Sequence, residues 1–402
     1  MSSLKLNNVN LVYPSGETGL YGVNLEANDK EFLVVVGGEK CGKSSLLRSV
    51  AGLEQVTEGE IFIDGKNVTE EEPKNRDIAM IFKSDSLYAS LNVFDNMAFG
   101  LRIRKAPEAL IQARVKVVAE MLGLTDVLFR KPKVLTAAAK QRVAIGRAIV
   151  REPKLYLFDD PLSGLDEKLR ADMLNIIVNL QARLSGTFLY ATKNLSEALT
   201  IGTRVVVMKN GFIQQIDTPQ NLYDYPANTY VAFYIGSPTV NFIKKVKIVE
   251  ENGAYYGVNG NFKLPIPENI VARFISIGEY ANTDKYVTLG LRPEDLKVEK
   301  GGEIKAKVAK CEDENYVECD VTPDICLNVR GDKQYIKGEE VEIKADLSKL
   351  MIFDAKTCLT LLARDEGYVV TGLPNADYTP LPFDEEERIY NSLKPNKQTK
   401  KK

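Results

Sequence analysis

The sequence predicts a parallel α/β domain followed by a small all-β domain. First, an apolar run at 32–36 leads through a glycine-rich turn into a helical stretch at 45–50. Second, strand and helix patterns alternate as far as residue 216, as expected of a parallel sheet covered by helices. Third, beyond Pro238 short strands are separated by Gly, Asn and Asp, which is typical of a small barrel. A chain of 402 residues has room for such an arrangement.

The glycine-rich turn fits the phosphate-binding pattern G-x-x-x-x-G-K-[ST], the P-loop, in the strand-loop-helix context that the pattern requires. Its residues are Gly37, Gly38, Glu39, Lys40, Cys41, Gly42, Lys43 and Ser44. The backbone amides of such a loop and the N-terminus of the next helix attract phosphate oxygens. Lys43 adds a cation for the outer phosphates, and the Ser44 hydroxyl is a ligand for Mg²⁺. An ordinary glycine-rich turn would not need Lys and Ser directly after Gly42, so we predict an α/β P-loop NTPase.

Composition excludes several other classes of function. The net charge of -2 argues against a nucleic-acid partner, whose usual footprint is a basic excess. No apolar run approaches the length of a membrane span, and the start lacks the pattern of a secretory signal, so we expect a cytosolic chain that a partner takes to the membrane. The chain has five cysteines without a C-x-x-C, which indicates reduced thiols rather than zinc. It has no histidine, which removes every mechanism that needs an imidazole.

In residues 4–124, the predicted strands, helix and turns follow from the alternation of apolar and polar residues and from the residue types at the turns. An Asp64-Gly65 pair predicts a tight turn after an alternating strand, and Pro14-Ser15-Gly16 predicts a turn after the first strand. Strands are predicted at 4–12, 22–27, 32–36, 60–63 and 76–82, and a helix at 106–124.

In the second half, Thr136 stands where an N-cap belongs, ahead of a strong helix former at 137–150. The continuous apolar run at 155–158 ends in Asp159 and Asp160, the pattern of a buried parallel strand that delivers acids at its carboxyl end. Asn210-Gly211 predicts a hairpin. The remaining elements are helices at 167–184 and 196–201 and strands at 188–192, 204–208, 212–216, 254–258, 286–291 and 341–343. We expect 366–402, which ends in three lysines, to be a disordered tail.

Several segments match one protein family in one order: Tyr13, the P-loop, 76–82 with 96–101, 142–153, 158–170, 236–238 and 290–295. Together they resemble the ATP-binding subunits of ABC importers, and most of all the branch that serves maltose, multiple sugars and glycerol phosphate. The resemblance covers about residues 4–362. It implies an ABC ATP-binding domain at 1–235, with a helical subdomain at about 85–155, and an OB-like regulatory barrel at 236–365.

The resemblance also implies cofactors and partners. In that family each ATP, with Mg²⁺, lies between the P-loop of one subunit and the signature loop of another. The implied partners are two membrane-spanning permease subunits, a second ATP-binding subunit (the same chain or a consensus paralogue) and, indirectly, an extracytoplasmic solute-binding protein. The implied location is the cytoplasmic face of the cell membrane, with peripheral attachment.

Roles are carried over residue by residue. Tyr13 matches the aromatic residue that stacks on adenine, although a core tyrosine is the alternative. Ser45 continues the nucleotide-binding P-loop, and Ser44 and Asp159 match the residues that hold Mg²⁺; for Asp159 a strand-end turn is the alternative. Asp166 ends the segment Ser163-Gly164-Leu165-Asp166, which matches the loop that communicates across the dimer.

The chain departs from the family at its working positions. Gly38-Glu39-Lys40 replaces Pro-Ser-Gly in the P-loop, so Glu39 brings a negative charge and Lys40 a Cβ to a position where glycine is usual. Lys83 replaces the glutamine of the Mg²⁺ shell, where a fixed cation repels the metal unless it turns toward a phosphate. Asp160 replaces the general-base glutamate, and the shorter side chain retracts the carboxylate by about 1 Å, which can cost about 10²-fold in rate.

Two further departures lie elsewhere in the composite site. Lys193 occupies the position of the switch histidine, where a lysine could still donate to the γ-phosphate but, as a long and mobile cation, positions it poorly. The family's Leu-Ser-Gly-Gly-Gln signature is replaced by Leu135, Thr136, Ala137, Ala138 and Ala139. Two glycines have thus gained methyl groups where the backbone approaches the partner's ATP.

These departures lead to two hypotheses. The first is a degenerate ATP-binding subunit that binds nucleotide but hydrolyses it slowly or not at all, as a regulatory half of the dimer. The second is an active transport ATPase in which Asp160, Lys193 and Lys83 substitute for the usual catalytic residues. A GTPase switch is remote, because the chain lacks an N-K-x-D guanine-reading motif.

Overall fold

A computed structural model describes residues 2–83, 87–184, 186–311, 315–332 and 334–364. The predicted tail at 366–402 lies outside these described residues. The described chain forms two compact units, residues 2–219 and 220–364. The helices between residues 219 and 234 precede the predicted end of the first domain at 235 and group with the second unit.

The first unit contains an antiparallel sheet of order β2-β1-β4-β5. Its strands are β1 (Ser2–Val12), β2 (Thr18–Asn28), β4 (Glu58–Ile63) and β5 (Lys66–Asn67). The strand predicted at 22–27 begins earlier, at Thr18. The predicted Asp64-Gly65 turn is confirmed, since both residues have the positive φ angles, 51° and 79°, that a tight hairpin turn requires.

The second sheet of this unit has the order β10-β9-β3-β8-β7-β6 and is parallel except for the β9–β10 hairpin. Its strands are β3 (Phe32–Gly37), β6 (Ile78–Ile81), β7 (Leu155–Asp159), β8 (Thr187–Ala191), β9 (Arg204–Lys209) and β10 (Phe212–Asp217). β3, β7 and β8 are buried along their whole length, as continuous apolar runs predict for parallel strands covered on both faces. The parallel α/β fold is therefore confirmed.

Helices of the first unit confirm most of the predicted ones. They are α1 (Lys43–Ala51), α2 (Val93–Ile103), α3 (Glu108–Met121), α4 (Ala137–Ile149), α5 (Glu167–Arg183) and α6 (Leu195–Ile201), with 3-10 turns at Pro73–Asn75, Thr125–Val127 and Pro132–Val134. α2 is not among the predicted helices, although Asn92 caps it by accepting a hydrogen bond from the Asp95 amide.

The core of the first unit fixes the direction of α1. Leu46, Leu47 and Val50 of α1 are fully buried between the antiparallel sheet and the parallel sheet, where they join one apolar cluster with β1 and β3. Burying side chains of this size stabilises the packing by about 1.5–3 kcal/mol each. The N-terminus of α1 is thereby held beside the carboxyl end of β3.

The second unit is built mostly from strands. An antiparallel sheet has the order β13-β12-β11-β14-β20, and a closed barrel has the order β15-β18-β17-β16-β19. The sheet strands are β11 (Asn241–Glu251), β12 (Ala254–Asn259), β13 (Phe262–Ile266), β14 (Val287–Leu291) and β20 (Met351–Asp354). The barrel strands are β15 (Leu296–Val298), β16 (Ile304–Cys311), β17 (Tyr316–Thr322), β18 (Ile325–Arg330) and β19 (Glu340–Ala345).

Short helices complete the second unit: α7 (Pro219–Asp224), α8 (Thr229–Tyr234) and α9 (Glu268–Arg273), with 3-10 turns at Ile277–Glu279, Pro293–Asp295 and Leu347–Lys349. The predicted small barrel is confirmed. Of the three strand segments used to predict it, only 341–343 lies in the closed barrel; 254–258 and 286–291 lie in the open sheet. Alternation reveals a half-buried strand but not which strands it pairs with, which explains the difference.

Candidate nucleotide-binding site

Four neighbouring parallel strands end at the same edge of the sheet and deliver the predicted site residues there. Val35 of β3 pairs with Ala191 of β8, and Ala191 pairs with Asp159 of β7. Phe158 pairs in turn with Ile81 of β6. The segments that follow these strands are the P-loop, Thr192-Lys193, Asp160 and Phe82-Lys83. Ligands of open α/β sheets bind at the carboxyl ends of such strands, so the topology defines a single candidate site.

The P-loop connects the buried end of β3 to the first residue of α1. Gly42 precedes the helix with a φ of 108°, which disfavours any residue with a Cβ. A Cβ at this position would also lie only 2.7 Å from the carbonyl oxygen of Gly19. The loop can therefore follow this path only with glycine at 42, and the path leaves the first amides of α1 directed to the space where a phosphate group would fit.

Lys43 folds back over the loop. Its Nζ donates to the carbonyl oxygens of Gly37 and Gly38, both at 2.8 Å, and lies 3.3 Å from Sγ of Cys41. These contacts hold the ammonium group directly above the loop that it is predicted to serve. A phosphate group in the loop would meet this cation without a large rearrangement of the backbone.

Lys40 occupies a left-handed backbone conformation, with a φ of 59°. A residue with a Cβ is strained there by on the order of 1–2 kcal/mol. Both Glu39 and Lys40 are exposed, so the charge that each brings is in contact with solvent. The predicted change from glycine to Lys40 therefore also raises the backbone conformational energy of the loop, because glycine would adopt this conformation without strain.

The two residues predicted to hold a metal lie together. The Ser44 hydroxyl donates to Oδ1 of Asp159 at 2.7 Å, joining α1 to the end of β7. A hydroxyl and a carboxylate supply the hard oxygen ligands that Mg²⁺ prefers, and Mg²⁺ usually takes the rest from water and phosphate. Across the described residues there is no group of three or more His, Cys, Asp or Glu side chains suited to a metal ion. The residues present fit Mg²⁺ held by two protein ligands and a nucleotide.

Tyr13 lies at the side of the P-loop helix. Its hydroxyl is 2.9 Å from Oγ of Ser45, and its ring packs against the core cluster while remaining partly exposed. The ring also covers Gly19, where a Cβ would lie 2.8 Å from Cε2 of the tyrosine. Tyr13 and Ser45 are thus brought together, and both the stacking role and the core role remain compatible with this placement.

Asp160 lies beside Lys83 and Lys193, the two lysines predicted to stand at catalytic positions of the family. Nζ of Lys83 is 3.8 Å from its Oδ2, and the side chain of Lys83 is 66% exposed, whereas that of Asp160 is 22% exposed. Burial raises the pKa of the Asp160 carboxyl, and the positive charges of Lys83 and Lys193 oppose this rise. The backbone of Asp160 is itself in the left-handed region, with a φ of 49°. A retracted carboxylate flanked by two cations therefore occupies the place predicted for the general base.

A buried polar cluster around Glu197, beside Asp160, was not predicted from the sequence. Oε2 of Glu197 accepts hydrogen bonds from the Tyr190 and Thr192 hydroxyls, each at 2.9 Å, and Arg170 lies 3.5 Å from Oε1. Burial raises the pKa of the Glu197 carboxyl, and the two hydroxyls oppose the rise. The available signal was the spacing of Asn194 and Glu197, typical of a helix N-terminus; Asn194 does cap α6 by accepting from the Glu197 amide at 3.2 Å.

The segment at 135–139, which is predicted to stand at the family's signature position, begins α4. Thr136 caps this helix, because its Oγ1 accepts from the Ala139 amide at 3.2 Å, which confirms the predicted N-cap. Ala138 is buried, while Ala137 is exposed. Asp166 caps α5 in the same way, accepting from the Leu169 amide at 3.0 Å. The segment at 135–139 lies at the start of α4, whereas the P-loop precedes α1.

Comparison with known proteins agrees with this geometry. The family model described as "ABC transporter" matches residues 20–163, and the one described as "MalK OB fold domain" matches 236–296. The oligosaccharides import ATP-binding protein MsmX of Bacillus subtilis (strain 168) is 40% identical over 374 residues, covering 89% of this chain and 99% of that protein. The trehalose/maltose import ATP-binding protein MalK of Thermococcus litoralis is 41% identical, covering 85% and 94%.

A solved structure agrees as well. The structure of cbiO1 from Clostridium perfringens, described as part of the ABC transporter complex cbiONQ, has a TM-score of 0.52 and 27% identity, covering 55% of this chain and 90% of that one. A P-loop site at the edge of a parallel sheet defines a nucleotide-binding protein of the P-loop class. The chain belongs to the family of ABC transporter ATP-binding proteins that carry a MalK OB fold domain. The predicted resemblance is confirmed.

None of the described helices is both long enough and apolar enough to cross a membrane.

Proposed function

We propose that this chain is the ATP-binding subunit of an importer for a carbohydrate or glycerol phosphate, with weak or absent hydrolysis, and that it acts as a regulatory half of a nucleotide-binding dimer. The substrate class is supported by the names of the relatives, which import oligosaccharides or trehalose and maltose. Binding of ATP with Mg²⁺ is supported by the P-loop geometry and the pairing of Ser44 with Asp159.

The observation that carries the reduced hydrolysis is the contact between Lys83 and Asp160, at 3.8 Å. Two residues that replace catalytic groups engage each other at the place where a water molecule must be activated. A general base must lie within hydrogen-bond reach of the water that it activates. An aspartate that is both shorter than glutamate and paired with a cation meets this condition poorly, and Lys193 adds a second cation beside it.

Partner docking is supported by the helical surface around α2. Phe129 is 79% exposed and stacks on Phe94 of α2, with ring centroids 6.3 Å apart. Ile103 and Val134 nearby in sequence are 67% and 68% exposed. A contiguous exposed apolar surface marks a site that a partner covers, and the stacked rings of Phe94 and Phe129 provide such a surface. We propose that two membrane-spanning permease subunits cover this surface, so that the chain is peripheral at the cytoplasmic face of the membrane, and that a solute-binding protein acts indirectly from the other side.

The decisive experiment measures phosphate release from Mg-ATP by the purified full chain, with Lys43→Ala as the matched control. We expect no release above that of the control. The same measurement in a mixture with a consensus ATP-binding subunit should show altered turnover of that subunit, which is the behaviour of a regulatory half. Release by the chain alone that disappears in Lys43→Ala would instead support the second hypothesis, an active ATPase that uses Asp160, Lys193 and Lys83.

A set of restored variants tests which departure limits the chemistry. Asp160→Glu combined with Lys83→Gln and Lys193→His returns the usual residue types to the ends of three adjacent strands. We expect the triple variant to show release that depends on Lys43, and Asp160→Glu alone to show less, because the two cations remain beside the carboxylate. A triple variant as inactive as the parent chain would place the limiting defect in the segment at 135–139 or in the P-loop.

A further inference from the structure

A chain of side-chain contacts joins segment 163–166 to the end of β8. Arg170 of α5 donates from Nη2 to the carbonyl oxygen of Leu165 at 3.0 Å. Its Nε lies 3.5 Å from Oε1 of Glu197 in α6. The other carboxylate oxygen of Glu197 accepts from the Thr192 hydroxyl at 2.9 Å. One arginine and one glutamate therefore connect segment 163–166 with the residue that follows β8.

The charged pair in this chain is largely withdrawn from water. The side chain of Glu197 is 4% exposed and that of Arg170 is 27% exposed. A charge in such a place is stable only when it is paired or accepts hydrogen bonds, because burial removes its hydration. Glu197 has both, since the Tyr190 and Thr192 hydroxyls donate to one carboxylate oxygen and Arg170 faces the other. Each member of the pair therefore constrains where the other can lie.

The Arg170 guanidinium is shared between two acceptors. Nη2 makes its hydrogen bond to Leu165, whereas Nε is buried and has no hydrogen-bond partner among the described residues, since its contact to Glu197 is long. A buried N–H group without a partner costs free energy. A small rotation toward Glu197 would satisfy Nε with a charge-assisted hydrogen bond and draw Nη2 away from Leu165. The guanidinium thus has two competing positions, and the observed one holds the carbonyl group of segment 163–166.

The strand ends next to this chain of contacts are held by backbone hydrogen bonds. The Thr192 amide donates to the carbonyl oxygen of Val35 in β3 at 3.1 Å. The Asp160 amide donates to the carbonyl oxygen of Ala191 in β8 at 2.9 Å. Both strand ends are therefore fixed in the sheet. The contact of Arg170 with segment 163–166 depends on a side chain instead, so it is the adjustable part of the connection.

We propose that Glu197 is a positioning residue: its charge holds Arg170 over the carbonyl oxygen of Leu165 and thereby couples segment 163–166 to segment 192–194, which carries Lys193. The inference rests on the proposed function, because segment 163–166 matches the loop that communicates across the dimer and a regulatory half needs a route from its own site to that loop. Coupling of this kind is reciprocal. Loss of the Glu197 charge loosens segment 163–166, and loss of Arg170 loosens segment 192–194.

The test is hydrogen-deuterium exchange of the full chain, read by mass spectrometry in peptides that cover segments 163–166 and 192–194. In Glu197→Gln the amide oxygen still accepts from the two hydroxyls, but the charge that faces Arg170 is gone. We expect exchange in segment 163–166 to become about fivefold faster or more, although the substitution lies in another helix. Exchange in the buried strand β3 should stay the same, whereas a merely structural defect would raise exchange in both places.

Matched variants test the reciprocal effect. Arg170→Gln should speed exchange in segment 192–194, and it decides the test by itself if Glu197→Gln does not fold. Lys168→Gln removes an exposed charge from the same end of α5 and should leave both segments unchanged. The double variant Glu197→Gln, Arg170→Gln should loosen segment 163–166 no more than the larger of the two single effects, because the two residues act through each other.

The outcomes distinguish this inference from the function on which it rests. Exchange in segment 163–166 that Glu197→Gln leaves unchanged, or that rises by the same factor in β3, would overturn the coupling and leave the proposed function intact. A parent chain that does not alter the turnover of a consensus ATP-binding subunit would overturn the regulatory role whatever exchange shows. Where the parent does alter it, both variants should reduce that effect by about fivefold, and variants that retain the whole effect would contradict the coupling.

Discussion

Asp160→Asn should make the protein more stable above the normal pKa range of aspartate. Asn is close to Asp in shape and tolerates the left-handed conformation, so it suits the φ of 49° at this position. The substitution removes a mostly buried negative charge and keeps a polar group in its place. A carboxylate that costs stability is expected where a protein retains a group for binding or chemistry rather than for folding.

Two opposing contributions determine the change in the free energy of unfolding. The lost contact to Lys83 is long, at 3.8 Å, and its cation is 66% exposed, so it contributes about 0–1 kcal/mol. The removed burial cost is larger, since burial raises the pKa of Asp160 in spite of both lysines. We therefore expect a net gain in the free energy of unfolding near pH 8, within the about 0.5–2 kcal/mol that single stabilising substitutions give, seen as a rise in Tm.

The direction of the pKa shift determines how the stability difference between the parent protein and Asp160→Asn changes with pH. A folded-state pKa above the unfolded value means that the folded protein binds more protons, so the carboxylate's cost grows as pH rises from the unfolded pKa of about 4 through the raised pKa. Thermal unfolding of parent and variant across this range should give curves that meet at low pH and separate as pH increases. Asp126→Asn, at an exposed position, is the control and should show no such separation. A variant that is less stable at pH 8, or equally different at all pH values, would refute the reasoning.

Three other predictions concern the framework of the site. Gly42→Ala should abolish nucleotide binding in a titration while lowering Tm, because φ is 108° and the new Cβ would lie 2.7 Å from the carbonyl oxygen of Gly19. Thr136→Ala should lower the free energy of unfolding by about 1 kcal/mol in a urea titration, because α4 loses its N-cap hydrogen bond. Arg204→Met should lower it by about 3–5 kcal/mol, because Glu31, paired with Arg204 at 2.7 Å, would remain as a buried charge.

Local chemistry explains which parts of the fold the sequence could predict. The P-loop helix, the hairpin at Asn210-Gly211 and the cap at Thr136 each depend on a few adjacent residues, and each is found in the structure. The grouping of strands into barrel and sheet depends on pairing across long separations, which alternation does not encode. For that reason 254–258 was predicted in the barrel and lies in the open sheet.

The sequence likewise predicts some contacts of the candidate site but not others. The pairing of Ser44 with Asp159 follows from a motif and a strand end, so the sequence could suggest it. The contact of Lys83 with Asp160 and the cluster around Glu197 depend on the order of β6, β7 and β8 in the sheet. That order is a property of the folded chain, and no spacing along the sequence reveals it.

Backbone hydrogen bonds position the ends of the strands that carry the site residues. At Asp160 and beside Lys193, the backbone hydrogen bonds run to neighbouring strands and involve none of the side chains that differ from the family. Exchange of those side chains therefore leaves the scaffold in place. Under the proposed function, a lineage that lost hydrolysis at this site would retain the architecture needed to regain it.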